Sequence, residues 1–258
     1  MRPLVIAIHG AAVNSATWLP VARALEGDAD VDASDLAGHG TRRGDPFVLS
    51  ESIAQLARKV TVASAKRRVF LAGDSLGGYL ALATAAVMGE AVSGVIAGSC
   101  TYPMRGPAAS LARLSLLADV ITSEWPFVAI TKRFASHDVA AAIIARGFAP
   151  RLRGRTLRAL LGHDVVGDIA AIKVPVVFVV GAFDVPIVWY ASSMARVGSR
   201  TSVRVLRSAG HGVAFTHPDA FAEAIRACIL FGEGLDFRCA KSRTMESRVD
   251  DLRERELP

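Results

Sequence analysis

Six short apolar runs, several of them rich in valine and isoleucine, dominate the pattern of this sequence. Most of the runs lack polar alternation, so strands at these positions would be buried on both faces. Segments with helical spacing of apolar residues lie between several of them, which predicts a parallel sheet with right-handed crossovers and helices on both faces. The predicted strands are Leu4–Ile8, Val31–Ser34, Val69–Ala72, Val92–Ala97, Val174–Val180 and Val203–Leu206, and the predicted helices between and after them are Thr17–Leu25, Ser50–Ala65, Gly78–Met88 and Pro218–Phe231.

The alternation stops between the fourth and fifth predicted strands, where residues 101–172 replace a single crossover helix. A structureless loop of this length is rare inside a compact domain, so we expect a helical cap inserted into the fold. Residues 1–100 and 173–237 would form the α/β core, and the charged residues 238–258 a mobile tail or surface helix. The helices predicted within the cap are Pro107–Thr122, Trp125–Phe134, His137–Ala145 and Leu152–Leu161.

The composition favours one globular domain in a reducing compartment. The 258 residues are 52% hydrophobic, enough for a large core. Three scattered cysteines, Cys100, Cys228 and Cys239, do not form a disulfide framework, and no secretory signal precedes the first strand, so we expect a cytoplasmic protein. The apolar stretch 79–100 is interrupted by Gly89-Glu90, so we expect a buried helix and strand there rather than a membrane span.

The net charge of +6 is concentrated in part in the predicted cap. A solvated surface is the simpler interpretation of this cluster, and an anionic partner or substrate is the alternative. No motif or aromatic interleaving points to nucleic-acid binding, and no group of His, Cys and carboxylate residues has metal-ligand spacing, so we expect no nucleic acid, metal or cofactor. The clustered arginines are Arg151, Arg153, Arg155 and Arg158, with Arg146 nearby.

The most specific motif is Gly73-Asp74-Ser75-Leu76-Gly77-Gly78, which lies directly between a predicted strand and a predicted helix. A G-x-S-x-G turn in this context presents the serine hydroxyl on a sharp, strained corner at the N-terminus of the helix. Glycines flank the serine because side chains there would collide with neighbouring backbone. A chance Gly-Ser-Gly turn is the alternative, but the strand–turn–helix context favours Ser75 as a nucleophile.

A serine nucleophile needs a general base and a group that orients the base. The candidate base is His211, just after the last predicted strand, and the candidate acid is Asp184, just after the fifth. Each alone would be an ordinary loop residue or turn former. Together they lie at the carboxyl ends of parallel strands, in the chain order serine, acid, histidine that is expected for this chemistry.

Attack on a carbonyl also requires donors for the developing oxyanion. One donor should be the N–H of Leu76, immediately after the nucleophile. The other should come from the turn after the first strand, where His9-Gly10 precedes Ala11. We predict that Ala11 supplies the second N–H, although His9-Gly10 could simply form a tight turn.

These motifs together resemble the successive sequence blocks of the α/β-hydrolase superfamily, over about residues 4–231 apart from the cap. The resemblance implies a serine esterase or lipase-like member with the same roles for Ser75, Asp184, His211, Ala11 and Leu76. Because members usually begin with two strands that have no counterpart here, it implies a shorter sheet of about six strands. Aspartate-dependent dehalogenases and epoxide hydrolases, and cysteine-dependent members, are disfavoured by Ser75. The blocks are His9-Gly10, Asp35-Leu36-Ala37-Gly38-His39-Gly40, Gly73–Gly78, Gly181-Ala182-Phe183-Asp184 and Gly210-His211.

Substrate choice in such a fold depends on the cap and loops. We expect a small-molecule carboxylic ester with an apolar acyl or alcohol part, since apolar cap residues could line a pocket. A thioesterase or carrier-protein ester hydrolase, a hydroxynitrile-lyase-like enzyme and a non-catalytic binding protein remain alternatives. The oligomeric state is not predicted. The candidate pocket residues are Leu111, Leu114, Leu116, Leu117, Trp125, Phe127 and Phe134.

Overall fold

A computed structural model describes residues 1–107, 109–110 and 123–231, and it confirms the predicted parallel sheet. The six described strands are all parallel to their neighbours and follow the order β2-β1-β3-β4-β5-β6. Strands β1 and β3 therefore lie side by side near the middle of the sheet. The strands are β1 (Leu4–Ile8), β2 (Asp30–Ala33), β3 (Val69–Asp74), β4 (Gly94–Gly98), β5 (Val176–Gly181) and β6 (Thr201–Leu206).

Helices cover both faces of this sheet and fill much of the long segment between β4 and β5. The first predicted helix is shorter than expected, because a 3-10 turn over Ser15–Trp18 precedes it. The α-helix itself begins at Leu19, with Pro20 in its first turn. Most of the predicted helix Pro107–Thr122 lies outside the described residues. The helices are α1 (Leu19–Ala24), α2 (Leu49–Ser64), α3 (Leu76–Met88), α4 (Trp125–Phe134), α5 (His137–Arg146), α6 (Leu152–Leu160), α7 (Val165–Ala171), α8 (Ile187–Val197), α9 (Val213–Thr216) and α10 (Pro218–Phe231).

The two faces of the sheet bury alternate side chains of each central strand. In β1, Leu4, Ile6 and Ile8 face a layer that includes α2, α3, α7 and α8, whereas Val5 and Ala7 face α1 and α10. This explains why the strands read as continuous apolar runs without polar alternation. Within the described ranges, no helix is both long enough and apolar enough to cross a bilayer.

The junction between β3 and α3 packs against the backbone of β1 with almost no free space. A β-carbon on Gly77 would lie 1.9 Å from the carbonyl oxygen of Ile8, and one on Gly73 would lie 2.0 Å from the carbonyl oxygen of Gly77. Backbone atoms cannot move away as the end of a flexible side chain can. Both glycines are therefore required by close approach.

We expect Gly77→Ala to lower the free energy of unfolding by about 3 kcal/mol or more, because the new methyl group must displace strand backbone. Denaturant unfolding followed by circular dichroism measures this change. Gly44→Ala is the matched control, since a β-carbon at Gly44 meets no atom within 4 Å. Equal stability of the two variants would contradict the packing argument.

Candidate active site

Ser75 lies on the corner between β3 and α3 in a conformation that side chains rarely adopt. Its φ and ψ are 56° and −118°, and its N–H donates to the carbonyl of Gly98 on the neighbouring strand at 2.8 Å. A positive φ in a residue other than glycine costs about 1–3 kcal/mol and persists only where the surroundings enforce it. Here the packed glycines on either side enforce it, and the hydroxyl faces a cavity.

The structure brings Ser75, His211 and Asp184 into one hydrogen-bonded chain. His211 Nε2 lies 2.9 Å from Ser75 Oγ, and His211 Nδ1 lies 2.9 Å from Asp184 Oδ2. The carboxyl group is buried, with 8% of its side chain exposed, whereas the imidazole is about half exposed to the cavity. A chain of this geometry lets the imidazole accept a proton from the hydroxyl while the carboxylate holds the Nδ1 proton.

The loops that carry the acid and the histidine are joined to each other by backbone hydrogen bonds. The Ala182 N–H donates to Leu206 at the end of β6 at 2.9 Å, and the Phe183 N–H donates to Ala209 at 3.0 Å. Because β5 and β6 are adjacent, the segments after them run side by side. The backbone hydrogen bonds between the two segments therefore hold Asp184 and His211 close together independently of the hydrogen bond between their side chains.

The pKa of His211 is raised above its usual value by a balance of opposing effects. Loss of hydration in the cavity lowers the pKa, but the hydrogen bond and the negative charge of Asp184 raise it by more. Asp74 also raises it, and Arg153 lowers it. The imidazole is thus a stronger base than an ordinary histidine.

Asp74, the residue before Ser75, is a buried carboxyl group that borders the cavity. Its Oδ2 accepts a hydrogen bond from the Ala214 N–H at 3.3 Å, and its Oδ1 has no hydrogen-bond partner among the described residues. Burial raises the pKa of Asp74 to about 6, although the positive charge of His211 opposes the shift. The sequence motif alone gave no role to this position.

Two buried histidines hold the turn after β1. The Leu36 N–H donates to His9 Nε2 at 2.9 Å, and His9 Nδ1 contacts the Gly10 carbonyl at 2.8 Å. The Ala12 N–H donates to His39 Nε2 at 3.2 Å. Burial lowers the pKa of His9 to about 4 and also lowers the pKa of His39, so both rings are neutral at pH 7. They act as hydrogen-bonding spacers between the turn and the loop after β2.

The turn that these histidines hold lies against Ser75. A β-carbon on Gly10 would lie 3.5 Å from Cβ of Ser75, and Ala11 and Leu76 line the same cavity as the serine. The N–H of Ala12 is already bonded to His39 and is not available. Among the described residues, the N–H groups of Ala11 and Leu76 donate to no protein acceptor. They are therefore the available donors beside Ser75.

A cavity of about 700 Å³ opens above the hydrogen-bonded chain. Of the predicted cap residues, Phe127 lines it, but Trp125 and Phe134 do not and are 73% and 48% exposed. Leu111, Leu114, Leu116 and Leu117 lie outside the described residues. No group of three or more potential metal ligands occurs within the described ranges. The apolar lining includes Val13, Met104, Phe127, Phe148, Leu157, Leu160 and Ile187.

Residues 5–224 match the alpha/beta hydrolase family. This match covers most of the chain and agrees with the six-stranded parallel sheet. The chain belongs to the α/β-hydrolase family. No curated protein matches the sequence significantly.

Solved structures share the fold of this α/β hydrolase at low sequence identity. MenH from S. aureus is 20% identical over 90% of this chain and 95% of its own, with a TM-score of 0.72. A malate-bound thermophilic esterase from Thermogutta terrifontis is 20% identical over 90% of both chains, with a TM-score of 0.70. A thioesterase domain from the curacin biosynthetic pathway is 20% identical over 89% of this chain and 91% of its own, with a TM-score of 0.65.

We expect the buried carboxyl of Asp74 to make the stability of this α/β hydrolase depend on pH. Because its pKa is raised in the folded state, its contribution favours folding below the unfolded pKa and is lost as pH rises through about 6. Asp74→Asn removes this loss. The difference in free energy of unfolding between the variant and the wild type, measured with denaturant, should shift in favour of the variant by about 1 kcal/mol from pH 5 to pH 8. The same stability difference at both pH values would show that Asp74 ionises without cost.

Proposed function

We propose that this α/β hydrolase is a serine hydrolase that cleaves carboxylic esters with an apolar acyl or alcohol part. The observation that supports the proposal most strongly is the continuous hydrogen-bonded chain from Ser75 through His211 to Asp184 beneath a largely apolar cavity. The free, buried thiols of Cys100 and Cys228 fit the reducing cytoplasm that the composition predicts.

The proposed reaction begins when Ser75 Oγ attacks the ester carbonyl and His211 Nε2 takes the hydroxyl proton. The N–H groups of Ala11 and Leu76 bind the resulting oxyanion, and each such donor contributes about 10²–10³ in rate. His211 then gives its proton to the leaving alcohol, which departs and leaves an acyl group on the serine. A water molecule deprotonated by His211 hydrolyses this acyl-enzyme and restores Ser75. Asp184 orients the imidazole and stabilises the imidazolium each time that it forms.

We expect Ser75→Ala to lose nearly all activity on a series of p-nitrophenyl esters, because no other hydroxyl is bonded to His211 in the described part of the chain. The wild type should prefer short to medium acyl chains. Release of p-nitrophenol measures both expectations, and labelling of the wild type by a fluorophosphonate checks that Ser75 is reactive. Equal rates for the two proteins would reject the assignment, and labelling without turnover of any ester would favour a binding role.

We expect Asp184→Asn to lower kcat by about 10⁴ with little change in KM, because an amide stabilises the wrong tautomer of His211. Asp164→Asn is the control, since that carboxylate caps α7 at the Gly167 N–H and does not line the cavity. Steady-state kinetics on the best p-nitrophenyl ester separates the two variants. A loss of less than tenfold for Asp184→Asn would mean that another group orients the imidazole.

A thioester bound to an acidic carrier protein is a second candidate substrate, because the same machinery attacks thioesters. Three arginines of the α6 region, Arg151, Arg155 and Arg158, are exposed and lie outside the cavity lining. They offer a cationic surface beside the site. A rate that falls steeply with salt on a carrier-bound thioester, but not on a free ester, would support this candidate.

A further inference from the structure

One face of α6 forms part of the cavity wall. Arg153, Thr156, Leu157 and Leu160 all line the cavity, and their spacing of three and four residues places them on one side of the helix. The face carries a cation in its first turn and apolar or hydroxyl groups after it. The arginine cluster seen in the sequence therefore divides into one member that faces the cavity and others that do not.

The charge of Arg153 is not neutralised within the part of the chain that the structure describes. Within residues 1–107, 109–110 and 123–231, its guanidinium makes no hydrogen bond and no ion pair. Arg105, by contrast, pairs with Asp164 at 3.0 Å. Arg153 is exposed and lines the edge of the cavity, so its unpaired guanidinium with five donors is suited to bind an anion from outside the protein.

The other charged groups of the cavity limit where an anion can bind. Asp74 and Asp184 lie beside His211 and would repel a second negative charge there. His9 also borders the cavity but is neutral. An anionic group is therefore favoured beside Arg153 on the α6 side of the cavity, where the cation also acts on the pKa of His211.

We propose that Arg153 binds a carboxylate of the substrate, so that the preferred substrates are esters with an apolar body and one carboxylate in addition to the scissile ester group. Carboxylate is the natural partner because its two oxygens match two parallel N–H groups of the guanidinium. The ester part of this inference rests on the proposed function, whereas the anion-binding part rests on Arg153 alone.

The test compares a neutral and a charged ester of equal chain length, p-nitrophenyl octanoate and mono-p-nitrophenyl octanedioate. The corresponding pairs of six-carbon and ten-carbon acids are measured in the same way. For the best pair, Arg153→Gln should lower kcat/KM for the charged ester about tenfold more than for the neutral ester, mainly through KM. Arg146→Gln removes an exposed charge outside the cavity lining and should leave the ratio of the two esters as in the wild type. Equal losses on both esters in every pair, or the same change from Arg146→Gln, would overturn the proposal.

A binding measurement separates this proposal from the proposed hydrolysis. Calorimetry on Ser75→Ala, with and without Arg153→Gln, compares monomethyl octanedioate with its neutral dimethyl ester. Preference for the monoanion that disappears with Arg153→Gln supports anion binding even if the wild type hydrolyses no ester, in which case only the proposed function fails. Hydrolysis of neutral esters with no such preference in binding or kinetics overturns the role of Arg153 and leaves the proposed function standing.

Discussion

The close approach of the β3–α3 corner to the backbone of β1 is the constraint on which the site depends. Gly77 lies so near the Ile8 carbonyl that no side chain fits, and this contact fixes where α3 begins. Ser75 is held at a positive φ on the corner, and Gly10 of the next turn lies against it. One backbone contact thus positions the hydroxyl, the N–H of the following residue and the turn that carries Ala11. Asp184 follows β5 and His211 follows β6, and these two strands are paired with each other.

Histidines in this protein take different roles because their surroundings differ. His9 and His39 are buried, each ring is bonded on both nitrogens, and desolvation keeps them neutral as structural spacers. His211 sits between Asp184 and the serine hydroxyl, where the carboxylate raises its pKa. Asp74 adds a carboxyl whose own pKa is raised by burial and whose negative charge also raises the pKa of His211. Environment thus lowers the pKa of two histidines and raises that of the third.

Local signals were sufficient to predict most of the fold. The bounds of β1, α4 and α10 agree with the sequence pattern, because apolar runs and flanking residues act within a few positions. The order of serine, acid and histidine identified a group that the structure brings together. What the sequence could not reveal depends on tertiary contacts: the burial of Asp74, and the fact that Arg153 faces the cavity. Helices α7 and α8 were not predicted, and their apolar residues pack against the sheet and α3.

The turn after β1 is bound to the helices above the cavity as well as to the sheet. Asn14 Nδ2 donates to the carbonyls of Ile143 and Gly147 at 3.0 and 2.9 Å, and the Ala149 N–H donates to the Ala12 carbonyl at 2.9 Å. A substituent that moves these helices would therefore also move the segment next to Ala11. The cavity wall and the turn beside Ser75 are thus mechanically linked, and a displacement of about 1 Å in the turn would be enough to lower a rate that depends on its geometry.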